Sequence, residues 1–262
     1  MPTTTTHAPG TFCWPELATS DQEGAKKFYG SLFGWTMNDS PMGPDEVYTM
    51  INLGDRGVGA LYKMRKEESS MGVPPHWNSY VSVENADQSA AKAKDLGGKI
   101  MMEPFDVMEH GRMAVIQDPT GAVFCLWQGK QHIGANLLDE VGALCWTELL
   151  TNDTDKAGKF YTSLLPWKSD TQNMAHTKYT MFKRGDQMAA GMLPTPKEVE
   201  GMPPQWFSYF AVDNVDQTVS KAQQLGGKVM RPAADIPNMG RFAILQDPQG
   251  APFAIWQYAP QR

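Results

Sequence analysis

The chain has 262 residues, 41% of them hydrophobic and 20% charged, with a formal net charge of -6; that length accommodates two domains of ordinary size, each large enough to bury a core of its own. Lysine and arginine are nowhere gathered into a cluster, which excludes nucleic acid as a partner, because neutralising phosphates needs massed positive charge. The opening MPTTTTHAPG has neither a basic start nor an apolar stretch, and no run of 18 apolar residues follows, so a cytoplasmic protein with no membrane contact is expected.

Residues 1–10 read as a disordered tail. From Phe12 to Thr19 the sequence alternates Trp14, Glu16 and Ala18 with Cys13, Pro15 and Leu17, the period of a strand with two unlike faces. Thr19, Ser20 and Asp21 offer a helix cap, Ala25, Phe28, Tyr29 and Leu32 follow at helical spacing, and Gly34 ends the helix. Val47 to Leu53 and Val58 to Met64 read as strands about the turn Gly54–Gly57. A polar connector over 63–75 leads to a second unit of the same plan: a strand at Ser79 to Val83, a helix from Asp87 to Leu96 closed by Gly97 and Gly98, and strands ending in the hairpin at Asp118-Pro119-Thr120-Gly121.

After a polar linker over 130–141 the plan recurs. CWPELATSDQEGAKKFYGSLFGW at 13–35 and CWTELLTNDTDKAGKFYTSLLPW at 145–167 share 13 of 23 residues at a constant offset of 132. GRMAVIQDPTGAVFCLWQ at 111–128 and GRFAILQDPQGAPFAIWQ at 240–257 share 11 of 18 at an offset of 129, and LGGK at 96 returns at 225. The chain is therefore an internal duplication, with halves at 11–129 and 142–259 divided into units at 11–65, 75–129, 142–194 and 204–259. A connector at 194–204 matches that at 63–75, and both are expected to be exposed and mobile. Cys13, Cys125 and Cys145 lie inside apolar runs without zinc spacing and read as buried free thiols.

LATSDQEGAKKFYGSLFGW, VENADQSAAKAKDLGG and DPTGAVFCLWQ, with their second-half counterparts, resemble the vicinal oxygen chelate superfamily, which includes glyoxalase I, bleomycin and fosfomycin resistance proteins and extradiol dioxygenases. The resemblance covers nearly the whole chain and is nearest to tandem members of actinobacterial type. It implies an α+β fold of two tandem domains, four βαβββ modules whose mixed sheets curl into cups with helices on the outer face. It also implies a divalent metal at each cup floor, held by His, Gln or Glu early in a unit and by Glu on its last strand. In this chain those positions fall at Trp14, Asn78 and Cys125, and at Trp146, Phe207 and Ala254. No cofactor is evident from such a set, and only a metal at a non-standard site is left open.

Glu16 and Glu148 share their strand face with a tryptophan and point into the cups, where a raised pKa would suit a general acid or base; equally, each carboxylate can simply accept hydrogen bonds or pair with Arg112 or Arg241. Trp14, Trp146, Tyr80 and Tyr209 offer flat walls for a planar ligand, with Asn78 and Phe207 beside them. Arg112 and Arg241 can clamp a ligand anion, or form salt bridges with Asp106 and Asp235. Met101, Met102, Met108 and Met113 mark a plastic pocket or a soft core. His7, His132 and His176 fall in tail, linker and loop and take no role. The leading expectation is a protein that binds a small organic ligand in its cups, as a monomer or loose homodimer. The rivals are a lyase, isomerase or hydroxylase working through Glu16 or Glu148, and a non-catalytic interaction scaffold.

Overall fold

The computed structural model describes residues 4–44, 46–70, 72–174, 177–196 and 202–260. His176 and residues 197–201 of the second connector lie outside them. Local signals are obeyed closely in the first unit. Strand β1 (Phe12–Thr19) runs into helix α1 (Gln22–Phe33), whose Asp21 side chain accepts the Gly24 N–H as N-cap and whose Gly34 closes the end at φ 73°, a left-handed conformation that glycine adopts without penalty. Strands β2 (Thr36–Pro41), β3 (Val47–Leu53) and β4 (Arg56–Lys63) complete the unit. The first connector carries a one-turn helix, α2 (Lys66–Ser70). The next unit comprises β5 (His76–Ser82), α3 (Ala86–Asp95), β6 (Lys99–Val107), β7 (Gly111–Gln117) and β8 (Val123–Gly129).

The second half repeats the series as β9 (Leu144–Thr151), α4 (Thr154–Leu164), β10 (Lys168–Met174), β11 (Thr177–Arg184) and β12 (Gln187–Pro194). Strand β13 (Gln205–Ala211), α5 (Val215–Gln224), β14 (Lys228–Ile236), β15 (Gly240–Gln246) and β16 (Pro252–Tyr258) end it. Each half forms one curled eight-stranded sheet, ordered β2-β3-β4-β1-β5-β8-β7-β6 and β10-β11-β12-β9-β13-β16-β15-β14. The first strands of paired units lie antiparallel at the centre, with Trp14 opposite Tyr80 and Glu16 opposite Asn78, and with Trp146 opposite Tyr209 and Glu148 opposite Phe207. The strongly repeated first strand of each half, β1 and β9, thus lies where the two units meet.

The helices lie on the convex faces, and those faces turn toward each other. One contiguous core contains Leu17, Phe28, Trp77 and Phe124 of the first half with Phe160, Trp167, Trp206 and Phe253 of the second. The expectation of one self-contained core per half is therefore corrected: the buried surface is shared. The reason is local. In LGGK the second glycine, Gly98 or Gly227, leaves room for a phenylalanine of the other half. A Cβ on Gly98 would stand 3.2 Å from the Phe160 ring, and one on Gly227 would stand 3.1 Å from that of Phe28.

The hairpin aspartates serve the same joint. Asp118 Oδ1 accepts the N–H groups of Thr120, Gly121 and Ala122, while its Oδ2 accepts the Tyr161 hydroxyl at 2.9 Å. Asp247 does the same with 249–251 and with Tyr29 at 3.0 Å. Each tyrosine oxygen in turn accepts an indole N–H, from Trp206 to Tyr161 at 2.9 Å and from Trp77 to Tyr29 at 3.0 Å. Two Trp–Tyr–Asp chains therefore cross between the halves, fully satisfied and buried.

Residues 4–10 are not a free tail. Thr4 N–H donates to Asn136 O, His7 Nε2 lies 2.8 Å from Ala135 O, Gly10 N–H donates to Ser82 O, and Gly10 O accepts the Trp167 indole at 2.9 Å. A segment whose backbone groups find such partners is pinned whatever its composition. The methionines are a second surprise: Met101 and Met102 are exposed on the edge strand β6 and Met108 just beyond it, and of the four only Met113 packs into a cup.

Candidate functional site: two unequal cups

The concave face of each sheet carries a carboxylate at its floor, placed there by the alternation along β1 and β9. In the first cup Glu16 Oε1 accepts the Tyr48 hydroxyl at 2.7 Å, and Oε2 accepts the Tyr80 hydroxyl at 2.8 Å and the Asn78 amide at 3.3 Å. The Trp14 indole donates to the Tyr48 oxygen at 3.2 Å, and the His76 ring nitrogen Nε2 lies 3.1 Å from Asn78 Oδ1. In the second cup Glu148 accepts Tyr179 and Tyr209, each at 2.7 Å, and Trp146 donates to the Tyr179 oxygen at 3.1 Å. Phe207 replaces Asn78, so this carboxyl has one donor fewer. Burial pushes both carboxyls above the ordinary 4.5; the hydrogen bonds, with a charge from His76 in one cup and Arg231 in the other, only partly offset it.

Of the residues singled out from sequence, Glu16, Trp14, Asn78 and Tyr80 meet at one floor, and Glu148, Trp146, Phe207 and Tyr209 at the other. Arg112 and Arg241 do not join them. Arg112 forms a bidentate pair with Asp87 at 2.7 and 2.8 Å and approaches Asp106 at 3.5 Å; Arg241 pairs with Asp216 and Asp235, each at 2.9 Å. Strand alternation accounts for the correction: Met113 and Phe242 face the cups, so the preceding arginines face the opposite side, beside the first turns of α3 and α5. Trp127 and Trp256 pack in the cup clusters as well.

Tyr48 and Tyr179 were missed, although Tyr-Thr-Met recurs at 48–50 and 179–181 and strand alternation sets Tyr48 on the Met50 face. His132 was missed as well. Its ring meets Trp14 edge-on with centroids 4.6 Å apart, its carbonyl accepts the Trp127 indole at 2.9 Å, and its Nδ1 accepts the Gly134 N–H at 3.1 Å. Ala135 is fully buried in the same cluster, and Leu138 packs on it. The linker thus covers one end of the first cup, leaving Trp14 only 4% exposed. At the second cup Ala259 N–H reaches Met239 O just as Lys130 N–H reaches His110 O. Trp146 of the second cup is half-buried where Trp14 is buried.

The positions that hold a divalent metal in related folds do converge, since Tyr80 pairs with Cys125 beside Trp14 and Tyr209 pairs with Ala254 beside Trp146. The residues there do not fit such an ion. Indole, phenyl and methyl groups offer a metal no lone pair, the Asn78 amide oxygen already lies 3.1 Å from the His76 ring nitrogen, and a single buried Cys125 thiol makes no set of ligands. Among the described residues no three His, Cys, Asp or Glu side chains are grouped to hold a metal. None of the described helices is long and apolar enough to cross a membrane.

Comparison with known proteins agrees with this geometry. The model of the Glyoxalase/Bleomycin resistance protein/Dioxygenase superfamily matches residues 11–126 and again 143–255. Proteins of Mycobacterium bovis and Mycobacterium tuberculosis, provisionally named glyoxylase CFP32, are 43% identical over the full length of both chains. The anthracycline biosynthesis protein DnrV of Streptomyces peucetius is 32% identical, over 96% of this chain and 94% of its own. Among solved structures, the Mn(II)-bound glyoxalase of Novosphingobium aromaticivorans superposes with a TM-score of 0.67 at 12% identity, covering 95% of this chain and 82% of that one. Homoprotocatechuate 2,3-dioxygenase of Brevibacterium fuscum, in complex with 3,4-dihydroxyphenylacetate, gives 0.66 at 15% identity, covering 99% and 85%. At such identities the structural likeness concerns the fold.

Proposed function

The chain belongs to the Glyoxalase/Bleomycin resistance protein/Dioxygenase superfamily, and from that footing we propose that it binds one small organic molecule per chain, in the second cup, without the metal centre that related folds carry. The observation that supports this reading most is the contrast between the cups. Both floors keep a buried carboxyl held by two tyrosine hydroxyls, but the linker packs on the first cup and leaves its Trp14 only 4% exposed, whereas Trp146 of the second cup is half-buried. A largely apolar concavity with a few convergent polar groups is the usual form of a small-molecule site. Here the walls are Trp146, Phe207, Phe242, Ile244 and Trp256, and the polar groups are Glu148, Tyr179 and Tyr209.

The chemistry offered to a ligand follows from proton placement. While Glu148 is ionised both tyrosine protons are committed to it. Once it is protonated, its own O–H must donate, and Tyr209 is the acceptor at hand, because the Tyr179 oxygen already receives the Trp146 indole. The Tyr209 proton is then free to point into the cup. In that protonated state the floor presents a hydroxyl donor to a carbonyl or hydroxyl oxygen of the ligand. The name of the Streptomyces relative, an anthracycline biosynthesis protein, is in keeping with an organic ligand.

The test is a panel of aromatic metabolites and antibiotics screened by thermal shift, with hits quantified by calorimetry. One molecule per chain is expected. Ile244→Trp, which fills the second cup, should abolish binding, and Val115→Trp, its counterpart in the first cup, should leave it unchanged. A panel with no binder, or binding lost only in Val115→Trp, would overturn the proposal.

A further inference from the structure

Granting that reading of the second cup, we infer that its occupant is a planar aromatic molecule bearing an anionic group, and that Arg231 at the mouth holds the anion. Arg231 lies on β14, opposite Ile244 of β15, and its guanidinium carbon stands 4.8 Å over the Phe242 ring. Phe242 neighbours Tyr209 with ring centroids 6.5 Å apart, and the Tyr209 hydroxyl donates to Glu148. Guanidinium, phenyl, phenol and carboxyl therefore form a ladder from solvent to floor. A guanidinium held over a ring face through its carbon keeps in-plane N–H donors for a bidentate carboxylate or sulfonate.

Arg231 differs from the other two strand arginines discussed above. Arg112 and Arg241 are each engaged by two aspartates. Arg231 is exposed, and among the described residues no carboxylate lies within ion-pair distance of it. Its charge is nevertheless felt at the floor, where it opposes the rise in the Glu148 carboxyl. The feature belongs to one cup only, since the repeat puts Met102 at the corresponding place in the first half. A thioether there and a guanidinium here mean that the two cups, alike at the floor, have diverged at the mouth. An aromatic acid fits the difference: its anion meets Arg231, its ring lies along Phe242 and the indole wall, and an oxygen at its far end meets the Tyr209 hydroxyl.

The experiment compares 2-naphthoate with its neutral counterpart 2-naphthamide on the full chain by calorimetry, using wild type, Arg231→Met and Arg231→Lys. Wild type should bind the naphthoate at least about tenfold more tightly than the amide, as one charge-assisted bidentate contact allows. Arg231→Met should erase that preference while leaving amide affinity within about twofold, and Arg231→Lys should keep part of it. Equal binding of both probes, unmoved by Arg231→Met, would overturn the inference and leave ligand binding in the cup standing. Binding of neither probe by wild type would also overturn it, whereas the wider panel with Ile244→Trp decides the cup reading separately.

Discussion

Glu148 sits between two tyrosine hydroxyls with its carboxyl held above the ordinary 4.5 by burial. For an acid whose folded pKa is raised, the native state binds the extra proton. Stability is therefore full below pH 4.5 and falls as pH climbs toward the folded value. Glu148→Gln keeps an acceptor for one tyrosine and removes the ionisation, so its stability curve should be flatter than wild type just above pH 4.5, as denaturant midpoints measured across pH will show. An unchanged slope would mean that the carboxyl is not strained. His132 works in the opposite sense, with burial lowering it to about 4, so stability is lost as pH falls from the ordinary 6.5 through that value. His132→Gln should recover about 1 kcal/mol at pH 5 relative to pH 7, allowing for its partial exposure. The two floor carboxylates were legible in sequence because strand alternation fixes their face. The pairing of Tyr48 and Tyr179 with them was not, since strands distant in sequence meet at the floor only through sheet order. The part played by His132 depends on where the linker runs, which no periodicity encodes.

At the level of elements, α1, α3 and their repeats declared themselves through caps and apolar stripes, whereas β2 and β10 did not. TMNDSP and KSDTQNM are edge strands exposed on both faces, so they carry no alternation to detect. The exposed methionines of β6 misled for the same reason: an edge strand need not bury what it carries. The hairpin and helix that seem local are in fact joined across the halves by Trp77, Tyr29 and Asp247. Tyr29→Phe removes the Asp247 donor and the Trp77 acceptor together while leaving the ring in place. It should cost about 1–3 kcal/mol in chemical denaturation, the penalty for orphaned buried polar groups, and Tyr161→Phe should cost a similar amount in the mirror-related chain. A loss below about 0.5 kcal/mol for both would show that water or a rearranged neighbour substitutes for the phenol.

The whole molecule is a duplication whose repeat is exact enough to count and whose core ignores the boundary between copies. Phe160 closes on Gly98, Phe28 on Gly227, and the Trp35 indole donates to Gly142 O at 2.7 Å as the Trp167 indole donates to Gly10 O. These partners are residues that the sequence repeats at fixed spacing, yet the spacing alone cannot say whether a repeated Phe fits its own unit or the other. Both possibilities preserve the pattern, and only the second makes the halves interdependent. Separated between Glu140 and Val141, each half would expose the convex face of its sheet, including Trp77 and Phe124 in one and Trp206 and Phe253 in the other, an apolar area too large for a soluble monomer to carry. Produced alone, each half should therefore show weak near-ultraviolet dichroism and bind a hydrophobic dye, and mixing the two should restore the sharp spectrum and a single cooperative transition. Two halves that each melt cooperatively alone and ignore one another on mixing would place the core inside the units after all. Restoration on mixing would explain why the cups can diverge at their mouths while the helices and hairpins behind them stay alike: the shared core constrains both copies at once, and the concave faces answer to nothing but their own contents.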